Sequence, residues 1–236
     1  MAKRRVLLKL SGESLAGARK EGIDKSCLDS YAAAIKESVL LGNEIAIVIG
    51  GGNIFRGMAG AASGFDRVTG DSMGMLATVI NSLALTASLQ AIGQDALLLT
   101  AHPMSPIGSH YSAPVAKQAL REGKVVLIAG GTGNPFFTTD TASVLRAIEI
   151  GADLMLKGTR VDGIYTADPE KDPSAKRFER ITYDEVYARE LKIMDLTAMT
   201  LARDNGLRIR VFNMDQEGNL VRLMKGEPLG TLVENE

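Results

Sequence analysis

The sequence predicts an α/β protein, a three-layer α/β/α sandwich with a mostly parallel central sheet. Three observations carry this. Short continuous apolar runs recur along the chain, most of them end in Gly, Ser or Thr, and capped helical patterns lie between most of them. Apolar runs without polar alternation fit strands covered on both faces. Strands that alternate with helices fit a parallel sheet with helical layers outside it.

Taken in order, "RVLLKLSG" (5–12) is the first strand. In 24–42, Leu28, Ala32, Ile35 and Val39 step by helical spacing and Gly42 closes the pattern. "EIAIVIGGG" (44–52) is the second strand, and a helix over 71–92 stops at Gly93. "DALLLT" (95–100) is the third, followed by a helix over 114–122 that stops at Gly123. "KVVLIAGG" (124–131) is the fourth. Asp140 then starts the helix "TASVLRAIEI", which ends at Gly151. "DLMLKGT" (153–159) is the fifth strand, and Thr182-x-x-Glu185 is a capping box. A helix from Asp195 to Asn205 stops at Gly206, and "RIRVF" (208–212) is the sixth strand. No Pro- or Ser-rich linker interrupts this pattern. It reads as one domain over 1–236, with a division near residue 150 into a part of about 1–150 and a part of 151–236.

A net charge of −1 argues against bulk electrostatic binding to nucleic acid or an acidic membrane. The single cysteine, Cys27, excludes an internal disulfide and suits a reducing, cytoplasmic setting; its place in a helical pattern reads as packing. The N-terminal apolar run is too short for a signal-peptide core. No stretch reads as the ~20 apolar residues that a membrane span needs.

Several motifs are absent. Gly52 and Gly57 have Walker spacing, but Met58 follows; Phe55 stands where a dinucleotide loop needs its third Gly. No GxSxG elbow occurs. His102 and His110 read as loop or surface groups, and with one cysteine there is no zinc pattern. What is present is a set of Gly-rich turns after strands: "KLSGES" (9–14), "GGGNIFRG" (50–57), "GGTGNPFFTTD" (130–140) and "KGTRVDG" (157–163). Glycines let backbone N–H groups close on an anion, and in parallel sheets ligands sit beyond the carboxyl ends of strands. Four such turns suit two phosphorylated ligands meeting head to head. Phosphoryl transfer between them needs no general base, because an acceptor phosphate is already anionic. Positioning and charge neutralisation suffice. Lys9 and Lys157, at strand ends, suit that role, and Asp140 can orient a lysine.

"LLKLSGES", "VIGGGNIFRG", "GDSMGMLATVIN", "GTGNPFFTTDTA", "DGIYTADPEKDP", "MDLTAM" and "RIRVFNM" then stand in an order that resembles the bacterial UMP kinases of the amino acid kinase family, over essentially the whole chain. The resemblance implies the three-layer fold, Mg-ATP as donor and UMP as acceptor. It implies that Lys9, Leu10, Ser11 and Gly12 form a loop at the transferring phosphates. Gly51 would face UMP, and Gly52 and Arg56 would face phosphate near the ATP side. Asp71 would hold the UMP ribose; as a plain residue it could be a helix cap. Thr132, Gly133, Asn134, Pro135, Phe136, Phe137, Thr138 and Thr139 would wrap UMP, with one phenylalanine packed inward and the other lining the pocket. Thr159, Tyr165 and Asp168 would contact ATP; without a ligand, Tyr165 reads as core packing and Asp168-Pro169 as a turn. Lys9, Asp140 and Lys157 would be catalytic, with Mg2+ held mainly by the ATP phosphates.

The resemblance further implies a homohexamer, UTP as an inhibitor competing in the UMP pocket, and GTP as an effector. The "GARKEG" segment (17–22) is more charged than the loops tied to that GTP response. Two other readings compete. One is a family member that phosphorylates a carboxylate, carbamate or other small acceptor, against which "GNPFFTTD" supplies a wall large enough for a base. The other is a UTP- or UMP-binding regulator without catalysis, against which Lys9, Asp140 and Lys157 are all retained.

Overall fold

The computed structural model describes residues 4–19, 21–55, 64–169, 171–172 and 174–236. Among them, one mixed sheet carries strands β1 (Arg5–Leu10), β2 (Glu44–Ile49), β3 (Ala96–Thr100), β4 (Ser109–His110), β5 (Val125–Ala129), β6 (Leu154–Thr159), β7 (Arg180–Thr182), β8 (Ile209–Asn213) and β9 (Thr231–Glu234). Their order across the sheet is β4-β3-β5-β2-β1-β6-β8-β9-β7. Every pairing is parallel except β8 with β9. The helices are α1 (Lys25–Leu40), α2 (Arg67–Ala91), α3 (Ala113–Arg121), α4 (Thr139–Ile150), α5 (Tyr183–Ala188), α6 (Leu196–Asp204) and α7 (Asn219–Met224).

The six strands expected from apolar runs form the contiguous interior of the sheet. The three that the sequence did not announce lie at or next to its edges. β4 is two exposed residues, β7 is three, and β9 runs antiparallel to its neighbour. The outermost strands, β4 and β7, lack full cover and carry no continuous apolar run, whereas β9, paired between β8 and β7, is mostly buried but only four residues long.

Alternation along the interior strands divides two cores. Val6, Leu8 and Leu10 face the layer containing α1, α2 and α7, whereas Leu7, Val48 and Met155 face the layer containing α3 to α6. Side chains two residues apart in a strand share a face. Lys9 therefore follows Leu7, and Lys157 follows Met155, onto the face covered by α4.

Two helix starts differ from expectation. α2 begins at Arg67, with Asp66 as its cap, so Asp71 lies one turn inside and is not a cap. The cap of α4 is Thr138, whose hydroxyl accepts from Asp140 N and Thr141 N; Asp140 sits in the first turn with its carboxylate free for other work. The Thr182–Glu185 capping box forms as expected. α2 also corrects the membrane reading: it is long and apolar enough by composition to cross a bilayer, and half of its apolar window is buried inside the protein. Small and polar buried residues such as Ala77, Ser82 and Ser88 interrupt the apolar run and disguise that length in the sequence.

Candidate active site

β1 and β6 are neighbours, with Lys9 and Lys157 as direct register partners. Both reach the first turn of α4. Lys9 Nζ lies 2.9 Å from Asp140 Oδ1 as an ion pair. Lys157 Nζ donates to Asp140 Oδ2 at 2.7 Å and to the Ile193 carbonyl at 2.5 Å. The three side chains are only 10–17% exposed. Burial opposes the Asp140 charge, but Lys9 and Lys157 outweigh it and hold the carboxyl below its ordinary 3.8. Burial is also the main influence on Lys157 and pulls its ammonium below the ordinary value; Asp140 opposes that shift and Lys9 adds to it. Two cations on one anion leave the cluster net positive, which suits phosphate oxygens.

Two cavities adjoin this cluster. One, of about 570 Å³, is walled by Lys157, Thr159, Tyr165, Asp168 and Ile193. The other, of about 250 Å³, is walled by Gly51, Gly52, Asp71, Asn134, Phe137 and Thr139. Lys157 stands on the wall of the first, and Thr139, on the wall of the second, immediately precedes Asp140. The lysine–aspartate cluster is thus adjacent to a wall residue of each, through Lys157 itself and through the Thr139–Asp140 peptide. A larger groove, of about 770 Å³, runs along α2 and residues 103–110. It has no Asp, Glu, Lys or Arg on its wall and lacks the means for this chemistry.

The Gly-rich turns build the smaller cavity by close approach. At Gly12 a Cβ would lie 2.4 Å from both Asn53 Oδ1 and the Gly50 carbonyl, and at Gly51 it would lie 2.8 Å from Ala77 Cβ. Only glycine lets the β1 and β2 ends meet each other and α2. Asn81, fully buried, donates to the Gly50 carbonyl at 2.7 Å and exchanges amide hydrogen bonds with Asn53. The side chain of Leu10 is fully buried, so only its backbone faces the loop. The Ser11 hydroxyl accepts from Glu13 N and starts a turn over Gly12–Leu15. Gly52 lines the smaller cavity beside Gly51 and is not on the wall of the larger one. Arg56 lies outside the described residues.

The 130–138 loop is tied down at several points. Gly130 N donates to Thr78 Oγ1 at 2.8 Å, Gly133 N to the Gly130 carbonyl at 3.0 Å, and Asn134 N to Thr132 Oγ1 at 3.1 Å. Phe136 N donates to Asp71 Oδ2 at 2.7 Å, and the same carboxylate pairs with Arg67 Nε at 2.8 Å. Asp71 thus links α2 to the loop while it lines the cavity. Phe136 has a φ of +72°, and Arg67 lies over its ring at 5.6 Å. A left-handed conformation costs a non-glycine residue about 1–2 kcal/mol. The Asp71 hydrogen bond and the Arg67 contact, each worth about 1 kcal/mol, offset it. Neither phenylalanine packs inward: Phe136 is 63% and Phe137 50% exposed. A loop this short, bent by positive φ at Gly130, Gly131 and Gly133, never approaches a core. Phe137 lines the cavity and Phe136 does not.

Among the larger-cavity residues, Tyr165 is wall and not core; its hydroxyl donates to Asp162 Oδ1 at 2.6 Å. Thr159 Oγ1 donates to the Val161 carbonyl at 2.7 Å. Asp168 accepts from Lys171 N and Asp172 N through its carbonyl, a turn, and is also on the cavity wall. His102 and His110 are exposed, and Cys27 is partly buried on α1.

Sequence reasoning missed Asp195. Its carboxylate accepts from the Thr138 and Thr141 hydroxyls and from Ala198 N, capping α6 and clamping it to α4. The Thr138 hydroxyl, engaged by its own cap and by Asp195, is committed before any ligand arrives. The signal was an Asp ahead of a helix, which reads as a cap and hides a contact 57 residues away.

Comparison with known proteins follows the same lines. The amino acid kinase family profile matches residues 4–213. The uridylate kinase of Parabacteroides distasonis is 63% identical over 98% of both chains. That of Bacteroides thetaiotaomicron is 62% identical over the whole of both. The solved UMP kinase of Bacillus anthracis superposes with a TM-score of 0.95 at 40% identity, covering 99% of this chain and 96% of its own.

Proposed function

The chain belongs to the amino acid kinase family, and on that premise we propose that it transfers the γ-phosphoryl group of ATP to UMP, giving UDP and ADP. The observation that carries this is the Lys9–Asp140–Lys157 cluster, with Lys157 on the wall of one cavity and Thr139, next to Asp140, on the wall of the other. ATP takes the larger cavity, built mainly from residues after 151, with Thr159, Tyr165 and Asp168 on its wall. UMP takes the smaller one, built from residues before 150, with its ribose at Asp71 and its base beside Phe137. An oxygen of the UMP phosphate forms the new bond to the γ-phosphorus as the bond to the β–γ bridging oxygen breaks, and the electron pair leaves with ADP. The acceptor is already an anion, so no side chain removes a proton. Lys9 and Lys157 neutralise the charge that spreads over the moving group, and Asp140 holds both ammonium groups in place.

The described residues contain no cluster of three or more His, Cys, Asp or Glu able to form a metal cage. That donor set fits Mg2+ carried mainly by the phosphates of ATP, with Asp140 as the carboxylate at the transfer point. When bound, Mg2+ supplies further neutralisation of phosphate charge.

The test is release of ADP by purified protein given ATP and UMP. UMP-dependent release supports the reading; turnover only with a carboxylate or carbamate acceptor overturns it. Relatives named uridylate kinase at 52–63% identity favour UMP over such acceptors. The same reading makes UTP a competitor of UMP, GTP an effector and the cytoplasm the place of action. It also makes the chain a homohexamer, and Leu76, Ile80 and Leu83 support self-association. They form a 45–51% exposed stripe at helical spacing on α2. Sedimentation of the intact protein measures that state.

A further inference from the structure

We propose that Arg146 is a positioning residue for the UMP loop, an inference that rests on the reading of the smaller cavity as the acceptor site. α4 presents Asp140 at its first turn and Arg146 nearly two turns later. A long helical side chain leans back toward the helix N-terminus, which carries the guanidinium to the loop after β5. There its Nη2 donates to the Gly131 carbonyl at 3.2 Å and points at the Thr132 carbonyl at 3.5 Å. Nη1 donates to Glu149 Oε2 at 2.8 Å. The guanidinium carbon lies 4.1 Å from the centroid of the Tyr111 ring, and the Tyr111 hydroxyl donates to the same Glu149 oxygen at 2.7 Å.

Arg146 is 7% exposed, and its Nε is buried without an acceptor. A buried donor left unpaired is a cost. The arrangement tolerates it because one planar fork does three things at once: it stacks on an aromatic face, pairs with a carboxylate and binds loop carbonyls. A lysine ammonium cannot do all three. The loop end that Arg146 holds is part of the acceptor wall, since Gly131 and Asn134 line that cavity together with Phe137, Thr138 and Thr139 at the other end. The opposite end is fixed by Asp71 and Asp195. One helix therefore fixes both the transfer cluster and the acceptor wall, and sets the distance between them.

The test is steady-state kinetics of wild type, Arg146→Lys and Glu149→Gln, with ATP and UMP varied separately and folding followed by circular dichroism. Arg146→Lys is expected to raise the KM for UMP about tenfold, the factor one charge-assisted hydrogen bond is worth, with the KM for ATP unchanged. An unchanged KM for UMP in the folded variant, or an equal rise for both substrates, overturns the proposal. Should Arg146→Lys not fold, Glu149→Gln at its partly exposed position carries the test: a smaller rise confined to UMP supports the role, and no rise overturns it. Wild-type turnover with UMP is measured first. Its absence removes the acceptor reading itself, whereas normal wild-type turnover with unmoved variants removes only the role of Arg146.

Discussion

Lys9 and Lys157 are register partners on adjacent parallel strands, and both of their ammonium groups close on the single carboxylate of Asp140. Like charges this close are unfavourable unless an anion lies between them. The cluster is stable without ligand because of Asp140, and it remains net positive for the phosphates.

Replacing that anion tests both halves of the statement. Asp140→Asn is expected to cost about 3 kcal/mol of stability near neutral pH, as breaking a buried pair does, and to lower turnover at least ~100-fold. The pH dependence has a definite sign. The Asp140 carboxyl titrates below its ordinary 3.8 in the folded chain, so the unfolded chain binds more protons in that window. Its contribution is fully present above 3.8 and is lost as pH falls through the folded value. Urea unfolding of wild type and Asp140→Asn should therefore show a gap that narrows below pH 3.8. A constant gap would show that the carboxylate is not stabilised by the two lysines.

Asp71→Ala is expected to raise the UMP concentration needed for half-saturation about tenfold, since one charge-assisted hydrogen bond is worth that factor. The change removes the carboxylate proposed to accept from the ribose and also releases Phe136 N and Arg67, which that carboxylate joins. Saturation curves at fixed ATP measure it; an unchanged UMP requirement would remove Asp71 from the acceptor site.

The two phenylalanines separate by single substitution. Phe137→Ala should weaken UMP saturation several-fold, since Phe137 lines the cavity. Phe136→Ala should leave stability within about 1 kcal/mol, because the ring is 63% exposed and its main contact is one guanidinium. Thermal melts and UMP titrations of both variants decide it, and a larger UMP effect from Phe136→Ala would reverse the assignment.

Asn81→Ala is expected to destabilise by about 2–4 kcal/mol, because it strips a donor from the buried Gly50 carbonyl and two hydrogen bonds from the Asn53 amide, which keeps only its bond to the Gly22 carbonyl. Denaturant unfolding measures it. A change under 1 kcal/mol would mean that the glycine loops hold their geometry without this amide pair.

The interior of the fold was legible because burial on both faces writes itself into local sequence. β1, β2, β3, β5, β6 and β8 are continuous apolar runs. β4, β7 and β9 are short segments at or next to the sheet edges, whose pairing depends on what lies beside them. The same division holds at the site. Lys9, Asp140 and Lys157 stand at strand and helix ends, where local pattern places them. Asn81, Asp195 and Arg146 do their work through contacts 15 to 57 residues away, and within their own helices they read as a polar core residue, a cap and a surface charge. The expectation that one of the two phenylalanines packs inward failed for a related reason: alternation assigns sides in extended chain, and Phe136 at φ +72° is not extended.

The most direct test of the transfer cluster is a single-turnover measurement on Lys9→Ala with ATP and UMP both saturating, paired with calorimetric binding of UMP. The cluster account predicts phosphoryl transfer slowed at least ~100-fold, equivalent to about 3 kcal/mol of transition-state stabilisation, with the Kd for UMP changed by less than about threefold. Transfer at the wild-type rate, or an equal loss of binding and transfer in a folded variant, would contradict it.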